Sequence, residues 1–200
     1  MTNITKISSS KLPTDFGDFQ IHIYRDNRSQ VEHAALVMGK PSNQHHVLTR
    51  VHSECLTGDA FSSSRCDCGE QLKFAQQAIA SKKEGIIIYL RDHEGRGIGL
   101  ANKISAYALQ DGGLDTVEAN LALGLPVDQR TFEIAADILR NLEVFSINLL
   151  SNNPEKYHAL KGLGINVSQI SPISILPNAQ NLKYIETKRT KLGHFNTANI

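Results

Sequence analysis

The three cysteines of the chain lie within one short polar stretch, at Cys55, Cys66 and Cys68. Cys66 and Cys68 are separated by one residue, so their side chains point the same way in an extended segment. Three thiolates without a fourth ligand nearby are typical of a catalytic zinc ion, which keeps one tetrahedral position open. The spacing C-x10-C-x-C therefore predicts a zinc site that carries hydrolytic chemistry.

Two simpler interpretations of the cysteines remain open. Free cysteine is among the most buried side chains, so all three could belong to the core, or two of them could form a disulfide. A disulfide between Cys66 and Cys68 would be strained. The surrounding serines, with Asp67 and Gly69, are polar and turn-prone, which is typical of a loop that carries a site. We therefore favour metal binding.

The composition is that of an ordinary enzyme. With 200 residues, of which 40% are hydrophobic, the chain can bury a core without disulfides. The N-terminal residues form no apolar signal segment and no run is long enough to cross a bilayer, so we expect a cytoplasmic protein with no membrane partner. A net charge of +1 lacks the basic footprint of a nucleic-acid binder, so we expect no nucleic-acid partner.

Positive charge is nevertheless concentrated in polar, glycine-rich or helix-entry segments, where backbone N–H groups are also available to an anion. Each such side chain alone is most simply a solvated surface charge. Together they favour an anionic ligand. They are Arg50, Arg65, Arg91, Arg96, Lys103, Arg130 and Lys156.

Hydrophobic periodicity predicts an α+β fold, with a mixed sheet, a strand-rich N-terminal part and flanking helices. Alternation predicts strands in DFGDFQIHIYR, EHAALVMG and HHVLTRVHS, and the apolar run GIIIYL predicts a buried central strand. A helix should begin near Gly69, and later helices should start after VDQRT and at Pro154. The residues expected on the inward helix faces are Leu72, Ala75, Gln76, Ile79, Phe132, Ala135, Ala136, Leu139 and Leu142.

A glycine-rich loop, RDHEGRGIGL, follows the predicted central strand. Its three glycines let the backbone approach a ligand closely, and the next helix would present its N-terminus to an anion. The loop is neither a P-loop, since no G-K-[ST] ends it, nor a dinucleotide fingerprint. We expect the inward stripe of the next helix to be Ile98, Ala101, Ile104 and Ala108.

Four segments together resemble a known family: RVHSECLTGDAFSSSRCDCGEQL, HEGRGIGLANKISAYALQDGGLDTVEAN, LGLPVDQRTFEIAADIL and LLSNNPEKYHALKGLGI. They closely resemble GTP cyclohydrolase II over nearly the whole chain. The resemblance implies that family's fold and its reaction, which opens the imidazole ring of GTP and releases formate and diphosphate in the first step of riboflavin biosynthesis. It also implies the monofunctional form, a homodimer, and a single catalytic domain at 1–176. The polar segment 177–200 is expected to be a partly mobile tail.

The resemblance also implies which residues bind the metal ions and GTP. Cys55, Cys66 and Cys68 would hold one zinc ion per subunit, and Mg²⁺ would accompany the GTP phosphates. The residues that would line the GTP site are Arg50, Val51, His52, Ser53, Glu54, Gln71, Glu94, Gly95, Arg96, Thr116, Ser151 and Lys156. Ser151 stands where the family commonly has threonine, and it keeps the hydroxyl.

Three catalytic roles are implied as well. Asp128 would be the proton acceptor and Arg130 the nucleophile in the step that releases diphosphate, and Tyr107 would assist ring opening. An arginine nucleophile is chemically demanding because its pKa exceeds about 12. Electrostatic stabilisation of the leaving diphosphate is an equally good interpretation of Arg130. Glu54 and Tyr107 are candidate proton carriers, although each could be purely structural.

Two other functional classes remain open. A histidine and a glutamate ahead of cysteines are also found in zinc nucleobase deaminases, but the P-C-x-x-C half of that motif is missing here. A zinc-stabilised nucleotide-binding module without turnover is the non-enzymatic alternative. The products formed from GTP would separate the three classes.

Overall fold

The computed structural model describes residues 3–195. The described residues form seven strands, which are β1 (Ile4–Thr14), β2 (Gly17–Asp26), β3 (Glu32–Met38), β4 (Val47–Ser53), β5 (Gly85–Leu90), β6 (Ile147–Leu150) and β7 (Val167–Ser171). The α-helices are α1 (Leu56–Asp59), α2 (Cys68–Lys82), α3 (Leu100–Asp111), α4 (Thr116–Ala122), α5 (Glu133–Asn141), α6 (Pro154–Gly162) and α7 (Leu182–Lys191). A 3-10 turn covers Glu94–Arg96.

The strands form one mixed sheet in the order β1-β2-β3-β5-β4-β6-β7. The pairs from β1 through β3 to β5 are antiparallel, whereas β5, β4, β6 and β7 pair in parallel. This arrangement confirms the predicted α+β class. The carboxyl ends of β4, β5 and β6 lie at one edge of the sheet, where open α/β sheets usually bind ligands.

The core lies on both faces of the sheet. Ile86 and Ile88 of β5 pack with α5 and α6 residues such as Leu139 and Leu160. Ile87, which points to the opposite face, packs with Ile79 of α2. Because successive strand residues face opposite sides, a central strand that is covered on both faces has a continuous apolar sequence. The predicted burial of GIIIYL is therefore confirmed.

Several predicted elements are confirmed in position. The three alternating segments form β2, β3 and β4, and the helix predicted near Gly69 is α2. Phe132, Ala135, Ala136 and Leu139 are buried on or beside α5. Helix α6 begins at Pro154, as expected for proline in a first turn.

The predicted inward stripe of α3 is wrong for the residues within the helix, although Ile98, just before it, is buried as predicted. Ala101, Ile104 and Ala108 are exposed, while Lys103 and Ala106 are buried. The helix turns its polar face inward because that face meets the cysteine cluster rather than the apolar core. An apolar stripe marks the buried side only where the neighbouring surface is itself apolar.

The chain also contains elements that were not predicted. Strand β1 is almost entirely exposed and pairs with β2 at the sheet edge, so it lacks an alternating apolar pattern. Helices α4 and α7 are likewise weakly patterned, and α7 lies inside the segment expected to be a polar tail. Residues 196–200 of that tail lie outside the described residues. None of the helices within 3–195 is both long and apolar enough to cross a bilayer.

Candidate active site

An open cleft with about 960 Å³ of empty space is lined by residues that follow β4, β5 and β6. Every site residue implied by the sequence resemblance lines the cleft except Val51 and Asp128. Both of these support lining residues, since the Val51 carbonyl accepts a hydrogen bond from Lys156 Nζ at 2.7 Å and the Asp128 carboxylate pairs with Arg130.

The three cysteines meet at one end of the cleft. Their sulfur atoms all lie within 4.8 Å of one another, and the Sγ atoms of Cys55 and Cys66 are 3.7 Å apart. Two thiolates on a tetrahedral zinc ion, with bonds of about 2.3 Å, are separated by about 3.8 Å. All three cysteines are free, and none forms a disulfide. The donor set and its spacing therefore fit a zinc ion with one open position.

Two glycines allow the cysteines to approach one another. Gly58 lies in α1 and Gly69 in the first turn of α2, and a Cβ on Gly69 would lie 2.2 Å from the Gly58 carbonyl oxygen. A Cβ on Gly58 would lie 2.9 Å from the Cys66 sulfur and 3.2 Å from the Cys55 sulfur. Close packing of these backbones therefore requires glycine at both positions.

Replacing Gly58 by alanine is expected to weaken zinc affinity by about 10–100-fold, the usual effect of disturbing the residues that support metal ligands. The added methyl group would push against two ligand sulfurs. Competition with a zinc chelator measures the effect. Gly162→Ala is the matched control, since a Cβ there meets nothing within 4 Å. Unchanged zinc affinity in Gly58→Ala would show that the close packing does not matter.

A buried ion pair adjoins the cysteines. Lys103 Nζ lies 2.6 Å from Glu94 Oε1, 2.8 Å from Thr57 Oγ1 and 3.2 Å from Cys55 Sγ. The other Glu94 oxygen accepts a hydrogen bond from the Leu56 amide at 2.6 Å. Glu94 thus fixes α1 and Lys103 at once, and Lys103 brings a positive charge to the thiolate cluster.

The electrostatic environment favours the thiolate form of Cys55. Hydrogen bonds from the thiols of Cys66 and Cys68 hold the pKa of Cys55 well below its ordinary value, and the positive charge of Lys103 lowers it further. The thiolate is the form that binds metal ions. Lys103, which was singled out in the sequence only as a candidate anion binder, therefore lies beside the cysteine cluster.

The cleft lining is also strongly cationic. Arg50 is 6% exposed, and its guanidinium donates to the Leu150 carbonyl at 3.0 Å and to Gln71 Oε1 at 2.6 Å. Burial, reinforced by the charges of Arg50 and Arg130, holds the pKa of Lys156 well below its ordinary value. Like charges held this close favour an anionic ligand, which would relieve their repulsion.

Several buried polar atoms of the lining residues have no hydrogen-bond partner in the described part of the chain. They are Arg50 Nε, Arg96 Nη2 and His52 Nδ1. Buried donors and acceptors are normally satisfied, so unpaired ones in a cleft point to ligand contacts. Two of the three are guanidinium nitrogens, which suit phosphate.

Arg130 is held by two residues. Its Nε lies 2.9 and 3.2 Å from the two Asp128 oxygens, its Nη2 also bonds that carboxylate, and its Nη1 donates to Ser53 Oγ at 3.3 Å. Burial raises the pKa of Asp128, but the hydrogen bonds and charge of Arg130 outweigh it and lower the value overall. Asp128 is therefore a carboxylate at neutral pH, and this fork-like pairing stabilises a charged guanidinium.

The remaining predicted residues are distributed around the cleft. Burial raises the pKa of Tyr107, so its phenol is protonated, and its ring lies 4.9 Å from the Arg65 guanidinium carbon. Glu54 accepts a hydrogen bond from the Asp92 amide at 2.9 Å. Thr116 opens α4, and the Ser151 hydroxyl accepts from the Asn153 amide at 3.1 Å. The structure thus brings all of them to one cleft.

Comparisons with known proteins agree with this geometry. Residues 5–172 match the family described as GTP cyclohydrolase II. The chain is 53% identical over 191 residues to GTP cyclohydrolase-2 of Neisseria meningitidis serogroup B, and the match covers 96% of each chain. The chain belongs to the GTP cyclohydrolase II family. With this membership, the family resemblance inferred from the motifs is confirmed.

Longer proteins contain a similar region. The chain is 49% identical over 191 residues to the bifunctional riboflavin biosynthesis protein RIBA 1 of Arabidopsis thaliana, of which the match covers 35%. It is 51% identical over 193 residues to the riboflavin biosynthesis protein RibBA of Aquifex aeolicus, with 48% of that protein covered. A two-domain 3,4-dihydroxy-2-butanone 4-phosphate synthase from A. baumannii shares the fold, with a TM-score of 0.53 and 22% identity over 86% of this chain and 41% of that one.

The cleft of this GTP cyclohydrolase II family member also contains residues that were not singled out as site residues from the sequence. His93 lies three residues after the end of β5, and polar residues that follow a buried strand are a usable signal. Asp59 does not line the cleft but supports the lining residue His52, since it lies 3.0 Å from His52 Nε2 and accepts from the Tyr89 hydroxyl at 2.8 Å. No local pattern could have indicated the lining residues from the C-terminal segment, which are Tyr184, Lys188 and His194.

Acid should destabilise the protein partly through His93. Burial, together with Arg130 and Lys156, lowers the pKa of His93 to about 3. The unfolded state takes up a proton near pH 6.5 and the folded state only near pH 3, so stability falls as pH falls through that window. Between about pH 7.5 and about pH 5.5, His93 should cost about 1.4 kcal/mol of unfolding free energy.

Urea unfolding of wild type and His93→Gln at the two pH values measures this contribution. The variant should lose about 1.4 kcal/mol less than the wild type on acidification, because glutamine does not titrate. Identical losses in the two proteins would contradict the assignment of a neutral, buried His93.

Proposed function

We propose that the protein is a GTP cyclohydrolase II that hydrolyses GTP, opens its imidazole ring, and releases formate and diphosphate in the first step of riboflavin biosynthesis. The observation that carries the proposal is that one cleft combines two kinds of group. A cysteine cluster suited to zinc and the cations Arg50, Arg130 and Lys156 line it together. A purine nucleotide with a triphosphate matches both groups.

Zinc is the metal best suited to the cysteines. Cys55, Cys66 and Cys68 would hold it, and the ion would supply Lewis-acid activation of water, which is needed for attack on a carbon between two ring nitrogens. Mg²⁺ is proposed to accompany the GTP phosphates. It would be bound by phosphate and water, since the cysteine cluster is the group within 3–195 whose spacing suits a protein-bound metal ion.

Residues near the cysteines would manage protons during ring opening. The protonated phenol of Tyr107 can donate a proton to a ring nitrogen as its bond to carbon breaks. Glu94 and Lys103 hold each other at 2.6 Å and keep a fixed dipole beside the reacting end. Glu54 has one carboxylate oxygen engaged with the Asp92 amide, and its other oxygen can accept a proton from water.

Arg130 would stabilise the leaving diphosphate electrostatically. Its bonds to Asp128 favour the charged guanidinium, and a neutral arginine is required for nucleophilic attack. Asp128 keeps the guanidinium pointed into the cleft and can accept a proton from the attacking water. Arg50 and Lys156 would bind the remaining phosphate oxygens.

Incubation of the zinc-loaded protein with GTP and Mg²⁺ tests the proposal, with formate, diphosphate and ammonia assayed separately. We expect formate and diphosphate in equal amounts and no ammonia. Ammonia without formate would indicate a deaminase, and neither product would indicate a nucleotide-binding module. Either of those results would refute the proposed function.

Three further expectations are part of the proposal. We propose a homodimer, supported by exposed apolar side chains on and beside α3 and α4, which are Leu100, Ile104, Leu121 and Leu123. A mass near twice 22.0 kDa in light scattering would agree with it, and a monomer would contradict it.

We propose a cytoplasmic location because free thiols that bind metal need a reducing compartment. We also propose a single catalytic domain at 1–176, to whose cleft the C-terminal segment adds Tyr184, Lys188 and His194.

A further inference from the structure

The C-terminal segment, residues 177–195, is tied to three elements that carry cleft residues. Lys188 of α7 pairs at 2.9 Å with Asp67, which lies in the segment 55–68 that carries the three cysteines and is called the cysteine loop below. Lys183 donates to the Gly113 carbonyl at 2.8 Å, just before α4. The Phe195 amide donates to the Asn152 carbonyl at 3.0 Å, in the loop after β6. The segment therefore bridges parts of the site that are distant in sequence.

Two further hydrogen bonds connect the pair of Lys188 and Asp67 with Arg50, one of the cations that line the cleft. Asp67 accepts a hydrogen bond from Gln71 Nε2 at 2.6 Å, and Gln71 Oε1 accepts one from Arg50 at 2.6 Å. Asp67 itself stands between two of the cysteines that would hold zinc. One chain of contacts thus runs from α7 through the cysteine loop to a phosphate-binding arginine.

The pair of Lys188 and Asp67 is well shielded from solvent. Their side chains are 12% and 8% exposed. Lys188 Nζ also lies 4.3 Å from the centre of the Tyr184 ring. A surface ion pair contributes little, but removal of one partner of a buried pair leaves an uncompensated charge. Here that charge would be a carboxylate beside a cluster of thiolates, which would repel it.

We propose that Lys188 is a positioning residue that holds the cysteine loop through Asp67, and that α7 forms one side of the substrate cleft. Tyr184, Lys188 and His194 line that cleft together with the cysteines. The part that concerns substrate rests on the proposed function, whereas the part that concerns metal retention does not. The C-terminal segment is then a part of the active unit rather than an appendage.

Zinc release from the full-length, zinc-loaded protein to an excess of a chelating dye tests the metal part. Lys188→Met should release zinc about 10–100-fold faster than wild type, in the range typical of residues that support metal ligands. Lys188→Arg keeps the cation and should stay within about threefold of wild type. Arg189→Met is the matched control, since Arg189 is on the same helix and its side chain is 48% exposed.

Steady-state kinetics with GTP test the substrate part. We expect Lys188→Met to lower kcat about 10–100-fold, with a smaller change in KM, because the cysteines adjoin Asp67 directly whereas Arg50 is reached only through Gln71. Should the protein not turn over GTP at all, the proposed function fails while the zinc-release comparison still decides the role of Lys188.

Two results would overturn the proposal. The first is that Lys188→Met releases zinc as slowly as Arg189→Met does. The second is that Lys188→Arg releases zinc as fast as Lys188→Met does. The double variant Asp67→Asn with Lys188→Met serves if the single variant folds poorly, with folding checked by circular dichroism. The double variant leaves no unpaired carboxylate, so it should release zinc more slowly than Lys188→Met. Zinc release as fast as that of Lys188→Met, or faster, would show that repulsion between the Asp67 carboxylate and the thiolates is not the cause.

Discussion

Replacement of Cys66 by serine is expected to abolish zinc binding and formate release together. The Cys66 sulfur lies 3.7 Å from that of Cys55, and a neutral hydroxyl is a far poorer ligand than a thiolate. We expect the rate of formate release to fall by more than about 100-fold, because loss of a direct ligand should exceed the effect of a supporting residue. Metal analysis and a formate assay on the same preparation measure both effects.

Ser64→Ala is a suitable control for this variant. Ser64 lies in the same loop, is exposed, and is not one of the residues that line the cleft. Formate release from Cys66→Ser at an undiminished rate would show that the cysteines do not form the reactive centre. Loss of zinc with full activity would lead to the same conclusion.

Substitution of Arg130 by alanine should have the second large effect, the loss of diphosphate release. Arginines that stabilise phosphoryl transfer contribute about 10³–10⁵-fold to the rate, and Arg130 is positioned for that role by Asp128 and Ser53. Diphosphate measured under saturating GTP reports the change. The exposed Arg28, in the turn between β2 and β3, provides an arginine-to-alanine control.

Arg130→Lys separates the two chemical roles of this residue. Lysine retains a positive charge near the phosphates, so electrostatic stabilisation predicts activity well above that of Arg130→Ala, although the paired bonds to Asp128 are lost. A covalent role would leave the two variants equally inactive. Full diphosphate release in Arg130→Ala would remove the residue from the mechanism.

The sequence predicts those strands and helices that pack against purely apolar surfaces. The run GIIIYL lies in a sheet with apolar layers on both faces, and α5 packs one side against that sheet. The local hydrophobic periodicity of a segment directly reflects an apolar environment of this kind. The cysteine cluster was also predictable, since the spacing of cysteines that suits a metal ion reflects the chemistry of the ion rather than its tertiary setting.

Other features depend on contacts that no local pattern records. Lys103 is buried because its partner, Glu94, comes from the loop after β5, so the inward face of α3 is polar. Helix α7 has a largely polar sequence, and its cleft residue Lys188 pairs with Asp67, which lies 121 residues earlier in the chain. Gly58 is required only because two sulfur atoms lie beside it. Each depends on distant parts of the chain.

Formate release from GTP by the same protein before and after removal of its metal tests the central claim most directly. We expect about one zinc ion per chain in the active protein, loss of formate release after complete stripping, and recovery on addition of zinc but not of Mg²⁺ alone. Undiminished formate release from metal-free protein would contradict the account.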